Sequence, residues 1–271
     1  MSPLLEIACF NALSAVNAYN GGASRLELCA HKHLDGVTPS LETYLDIVSQ
    51  LSPSSDSSNA SSPNPPQSQT SLPIPINVMI RPNPSPIFTA SSDDFEQMRS
   101  SIQQFKSAPC CPSGFVFGIL DSAGCIDIER NKELVDLASP LPCTFHRAFD
   151  LAAGGEGPQG SEGDSWETAV EDLVNCGFAS VLTSGGSGEL QQRATKVERI
   201  ILASRCRVRV IVGGGVRSSN IEELRRVIER GDGRVDAWHS SAAIEGGELD
   251  SKGEVVASVS EVRALKTAIS R

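Results

Sequence analysis

Residues 4–30, LLEIACFNALSAVNAYNGGASRLELCA, read as strand, helix, strand. LLEIAC (4–9) is a short apolar run interrupted by one carboxylate. In NALSAVNAYNGG (11–22), Asn11 stands where a helix N-cap belongs, apolar residues recur at helical spacing, and the glycines supply the stop. RLELCA (25–30) returns to strand alternation. Connections this short between strand, helix and strand imply parallel strands joined by a right-handed crossover.

Working outward, the unit repeats. Strand-like runs follow at 76–81 (INVMIR), 114–120 (GFVFGIL), 143–149 (CTFHRAF), 179–184 (ASVLTS), 208–214 (VRVIVGG) and 235–241 (VDAWHSS). Amphipathic helical segments lie at 40–51, 91–108, 126–139, 166–178, 189–204, 220–231 and 259–270. Eight strands alternating with eight helices predict an α/β fold, a single (β/α)8 TIM-like barrel over 1–271 with parallel strands and a C-terminal closing helix. The rival is an open doubly wound sheet, which normally carries a Gly-rich fingerprint after its first strand; here that turn reads CFNA. Residues 52–73 break the pattern with nine Ser and five Pro, which predicts a disordered insertion inside the domain. A second loop, 152–165, is rich in glycine.

Composition narrows the function. Hydrophobic residues make up 39% of the chain, enough for a sizeable core. A net charge of −10 argues against a nucleic-acid surface, which needs clustered Lys and Arg. No apolar run approaches the roughly 20 residues of a membrane-spanning helix, and the N-terminus lacks the basic start of a secretory leader. The eight cysteines form no CxxC pair, which fits reduced thiols in a cytosolic setting.

In such barrels the working site lies at the C-terminal strand ends. Those ends carry Glu6, Glu27 with Cys29, Arg81, His146 with Arg147 and Asp150, Ser184, Gly213 to Gly215, and His239 with Ser240. Ionisable groups inside barrel strands are costly unless paired, so their clustering at one end is informative. Period-two alternation puts Glu6 with Ala8 on one face of the first strand and Cys9 on the other, toward the helices. Glu27 and Cys29 share a face. On this reading Glu6 and Glu27 meet Arg81 and His146 in the lumen, with Glu6 or Glu27 a general base and His146 an acid. Arg147 and Asp150 complete the candidate catalytic set. The same groups would also serve as a buried ion-pair network with no chemistry.

The glycine turn 213–215, with Ser184, His239 and Ser240, is a candidate anion site, since loops after the seventh and eighth strands commonly bind phosphate; the glycines would equally make a tight turn. No lysine lies on a predicted strand, so a Schiff-base mechanism is not expected. No GxSxG elbow occurs. The run His31-Lys32-His33 falls in the loop after the second strand, where plain solvent exposure is the simpler reading.

LEIAC, GGASRLELCA, DGVTPS, VMIRP, FVFGILDSAGCID, PLPCTFHRAFD, VLTSGG, VGGGVR and HSSA, taken in order, resemble the CutC family. The resemblance runs from Leu4 to the last helix. It implies a TIM-like barrel, a cytoplasmic and partly nuclear setting, a homo-oligomer (dimer or tetramer), and a part in copper homeostasis with Cu(I) binding. It places the metal cysteine on Cys29. The second cysteine expected two residues after the first-strand Glu is Ala8 here, and RPNPSPIF (81–88) replaces the family's Gly-rich loop. Three functions follow as expectations: a copper-homeostasis protein binding Cu(I), an enzyme acting on a small anionic or phosphorylated substrate by acid/base chemistry, and a catalytically idle scaffold.

Overall fold

The computed structural model describes residues 2–52, 72–153, 165–230 and 234–270. The strands are β1 (Leu4–Cys9), β2 (Arg25–Leu28), β3 (Ile76–Met79), β4 (Gly114–Phe117), β5 (Cys143–Phe145), β6 (Ser180–Thr183), β7 (Arg209–Val212) and β8 (Ala237–Ser240). They form one closed parallel barrel in sequence order, and β1 pairs with β8 to shut it. The helices are α1 (Ala12–Gly21), α2 (Leu41–Leu51), α3 (Ser92–Lys106), α4 (Ile128–Ala138), α5 (Ala148–Ala152), α6 (Ser165–Cys176), α7 (Leu190–Ser204), α8 (Ile221–Ile228) and α9 (Val259–Ile269).

Local chemistry sets many of these boundaries. Asn11 accepts the Ser14 amide at 2.8 Å and starts α1. Gly22, at φ 90°, ends it by donating to Ala18 O and Tyr19 O, a backbone conformation that favours glycine. Ser40, Asp127 and Ser258 cap α2, α4 and α9 in the same way, and Ser91 with Asp94 makes a reciprocal capping box on α3.

Alternation along each strand divides the core in two. Leu5, Ile7 and Cys9 of β1 and Leu26 and Leu28 of β2 join the large apolar layer between barrel and helices. The opposite face fills the lumen. There Cys29, Met79 and Val116 pack together under Phe10, and Leu182, Ile211 and Ala237 form a separate cluster. Thr144 and Ser180 hydrogen-bond across at 3.1 Å, giving the buried hydroxyls partners.

The barrel agrees with the pattern of the sequence, with one correction of note. The fifth strand stops at Phe145 instead of reaching Phe149. His146 Nδ1 accepts the Ala148 amide at 3.3 Å and Arg147 takes helical backbone angles, so α5 begins at Ala148. The described residues therefore hold nine α-helices, not eight. The Ser/Pro-rich insertion expected at 52–73 lies outside the described residues, apart from Ser52, Leu72 and Pro73, and most of the Gly-rich loop 152–165 also lies outside them. Among the described residues no helix is long and apolar enough to cross a membrane.

Candidate functional site

The lumen holds a column of polar groups. Arg25, Glu27 and Cys29 follow one another at two-residue steps on the inner face of β2 and its extension, about 6.6 Å apart per step. Glu6 of β1 lies between them and β8. It pairs with Arg25 Nε on one side and with His239 Nδ1 at 2.8 Å on the other. His239 Nδ1 also lies 3.7 Å from Glu27 Oε2. Above this, the Cys29 thiol donates to Glu27 Oε1 at 3.2 Å. Glu6, Glu27 and Cys29 are each no more than 3% exposed.

Environment divides the two carboxylates. Burial opposes ionisation of Glu6, but Arg25 and His239 outweigh it and bring its pKa down to about 2. Among the described residues Glu27 has only the more distant His239, at 3.7 Å, and no guanidinium bonded to it. Burial, with Glu6 close by, raises its pKa, and its Oε2 accepts no hydrogen bond among the described residues. His239 is pushed down by burial, but the two carboxylates prevail and raise it. Cys29 is held well above an ordinary thiol by burial and by Glu27. The column thus has an ionised, paired lower half and, above it, a thiol bonded to a carboxylate that readily takes a proton.

The structure brings together only part of the expected set. Glu6 and Glu27 do not meet Arg81 and His146; Arg25 and His239 take those places, because barrel closure puts β8 and the start of β2 on either side of β1. Arg81 donates to Leu34 O and Gly36 O at 2.9 Å and to Ser85 O at 3.1 Å, tying the loop after β2 to the loop after β3. Its guanidinium lies 4.8 Å from the centre of the Phe88 ring. His146 is buried beneath the same Phe88 ring, edge-on at 4.9 Å. Burial, then the charge of Arg81, lowers its pKa to about 3, so it is neutral at physiological pH.

Arg147 and Asp150 lie apart from the column, in a latch. Asp150 accepts Thr183 Oγ1 at 2.6 Å, Ser184 Oγ at 2.7 Å and Arg147 Nε at 3.0 Å, joining the loops after β5 and β6. Arg193 of α7 carries the join onward, donating to Ser184 O at 3.0 Å and Gly214 O at 2.7 Å. Gly213 abuts the His239 ring, while Gly214 and Gly215 both take positive φ, at 81° and 91°. Ser240 Oγ receives Arg217 Nη1 at 3.1 Å, and Ser241 Oγ receives Nη2 at 3.3 Å.

Arg25, Met79, Arg193 and Arg217 escaped the sequence reading. Two of them carried a signal: Arg25 shares the two-residue alternation of Glu27 and Cys29, and Met79 that of Arg81. Arg193 is placed by the start of α7 and Arg217 by the loop after β7.

Comparison with known proteins fits this barrel. Residues 3–243 match the profile described as the CutC family. The chain belongs to the CutC family. A Caenorhabditis elegans relative named copper homeostasis protein cutC homolog is 30% identical over 275 residues, 98% of this chain and 94% of the relative. The Homo sapiens protein of the same name is 34% identical over 239 residues, 88% of this chain and 73% of its own. A crystal structure of CutC from Streptococcus agalactiae superposes with a TM-score of 0.69 at 23% identity, covering 89% of this chain and 99% of that one. The phosphoribosylanthranilate isomerase of Pyrococcus furiosus shares the fold at a TM-score of 0.56 and 12% identity, covering 99% and 98%.

Proposed function

We propose that this chain acts in copper homeostasis by taking Cu(I) as cargo at Cys29, in the upper part of the barrel lumen. The observation that carries the reading is the surroundings of that thiol. Cys29 shares a small buried apolar cluster with Met79 and hydrogen-bonds to a carboxylate of raised pKa. Cu(I) favours soft thiolate and thioether ligands. Ala8 supplies no second thiol, and Cys9 faces the helices, donating to Ile7 O. Met79 offers the second sulfur from β3. When the Cys29 sulfur bonds to Cu(I), the S–H bond breaks and the proton passes to ionised Glu27. The thiolate–Cu(I) pair is neutral, which suits a buried site. Phe10 is half-buried and packs against the same cluster. The free thiols of Cys9, Cys29, Cys111, Cys125, Cys143, Cys176 and Cys206 suit a reducing, cytoplasmic or nuclear compartment, and the resemblance adds a homo-oligomer.

The test replaces the exposed Cys111, Cys125 and Cys206 with serine and titrates the reduced protein with Cu(I) against a chromogenic chelator. One ion per chain is expected. Cys29→Ala should abolish retention, and Met79→Leu should weaken it about tenfold, with the barrel intact because the volumes nearly match. Retention unchanged in Cys29→Ala would overturn the reading.

A second reading, a site for a small anionic or phosphorylated substrate at the barrel mouth, rests on Arg217. Its guanidinium bonds only neutral oxygens among the described residues, those of Val216, Ser240 and Ser241. Lys32 faces it, and burial together with the Arg217 charge lowers the Lys32 pKa. The Gly214–Gly215 turn lies alongside on the same loop. Inorganic phosphate at ten times its Kd should then stabilise the fold by about 1.4 kcal/mol. This would appear as a rise in melting temperature that Arg217→Gln abolishes. No rise in the parent protein would dismiss the site.

A further inference from the structure

We propose that His31, His33 and Glu254 form a second metal site, on the outer rim of the barrel mouth, for a borderline divalent ion such as Cu(II) or Zn(II). The three residues come from loops on either side of β1: the histidines follow β2, and Glu254 follows β8. Their ligand atoms lie within 4.8 Å of one another. Glu254 Oε1 is 3.8 Å from His31 Nδ1 and 3.7 Å from His33 Nδ1. Both distances are too long for hydrogen bonds. Ligands about 2.0–2.1 Å from a tetrahedral ion stand roughly 3.4 Å apart, so the two His–Glu separations need close by only a few tenths of an ångström, and rotation of the exposed imidazoles completes the set.

Both loops are held in place before any ion arrives. Ala30 and Val37 exchange backbone hydrogen bonds at 2.9 Å across the histidine loop. Arg81 grips the same loop through Leu34 O and Gly36 O. His31 takes φ 53°, a left-handed conformation uncommon outside glycine in which asparagine, aspartate and histidine are the favoured exceptions. It turns the two imidazoles into an edge-to-face pair with centres 5.6 Å apart. On the other side, Asp250 Oδ1 accepts the amides of Lys252 and Glu254 at 2.9 Å, and Asn11 holds Val255 O. The site is therefore a solvent-facing set of two imidazoles and one carboxylate on anchored loops, open to water at its remaining positions.

Ligand chemistry separates this site from Cys29. Nitrogen and carboxylate donors select Cu(II) and Zn(II), whereas the lumen sulfurs select Cu(I). The proposal does not depend on copper binding in the lumen.

The experiment uses the full chain with Cys111, Cys125 and Cys206 replaced by serine, titrated with Zn(II) by calorimetry and with Cu(II) by electron paramagnetic resonance. One equivalent is expected, with coupling to two nitrogens in the Cu(II) spectrum. His31→Asn/His33→Ala should remove the nitrogen coupling and weaken binding at least tenfold; asparagine keeps the backbone of position 31 unstrained. Glu254→Gln should weaken binding with the coupling retained. Absence of binding in the parent, or full binding with unchanged coupling in the double histidine variant, overturns the site.

Discussion

Arg25→Met is expected to destabilise the barrel by about 3–5 kcal/mol, because it leaves the Glu6 carboxylate buried without its guanidinium. Glu6 is 1% exposed, so water cannot take the place of Arg25. His239 would remain as its only cationic contact. The Glu6 pKa, held at about 2 by Arg25 and His239, should rise in the variant. In the parent, Glu6 is more acidic folded than unfolded. Its contribution is complete above pH 4.5 and is lost as the pH falls from there toward 2. In Arg25→Met that contribution is smaller, so the two proteins should converge in stability on acidification. Urea unfolding at pH 7 and pH 3 measures both effects. Adding Glu6→Gln to Arg25→Met should recover much of the loss, since no uncompensated charge is then buried. A loss under 1 kcal/mol, or no recovery in the double variant, would show that the lower column carries no ion pair of consequence.

That pair illustrates what the sequence could and could not reveal. The strand β1 lies at 4–9 as its apolar run indicates, and the other seven strands fall within their expected segments. Period-two alternation also separated Glu6 from Cys9 and joined Glu27 to Cys29, since the face of a strand residue is a local property. What meets what across the lumen is not local. Residue 6 reaches residue 239 only because the barrel closes β1 onto β8, and the register of that closure depends on strand tilt and stagger. Arg81 and His146 were therefore expected at the carboxylates, whereas Arg81 grips carbonyls of the loops after β2 and β3 and His146 sits under Phe88. The shortened fifth strand has a similar cause. A side chain bonding its own backbone two residues on, as His146 does to Ala148, is invisible to hydrophobic periodicity.

His146 carries the second large expectation. It is fully buried against Phe88 and Phe145, with Arg81 close by, and its Nε2 has no hydrogen-bond partner among the described residues. Its folded pKa of about 3 lies well below the ordinary histidine value of 6.5. The unfolded chain therefore binds a proton below pH 6.5 that the folded chain refuses until about pH 3. The stability His146 confers is complete above pH 6.5 and is lost as the pH falls through that window, about 1.4 kcal/mol per pH unit. Glu27, whose pKa is raised, acts in the opposite direction over part of the same range, so the parent's own curve mixes the two. Comparison with His146→Gln isolates the histidine. The difference in unfolding free energy between parent and variant should shift by about 2.3 kcal/mol between pH 6.5 and pH 4.5, with the variant gaining on the parent as acid is added. Urea unfolding at half-unit steps measures it. Parallel curves would mean that water or an internal acceptor reaches His146 and lets it charge within the fold. In that case Phe88 does not seal this side of the lumen.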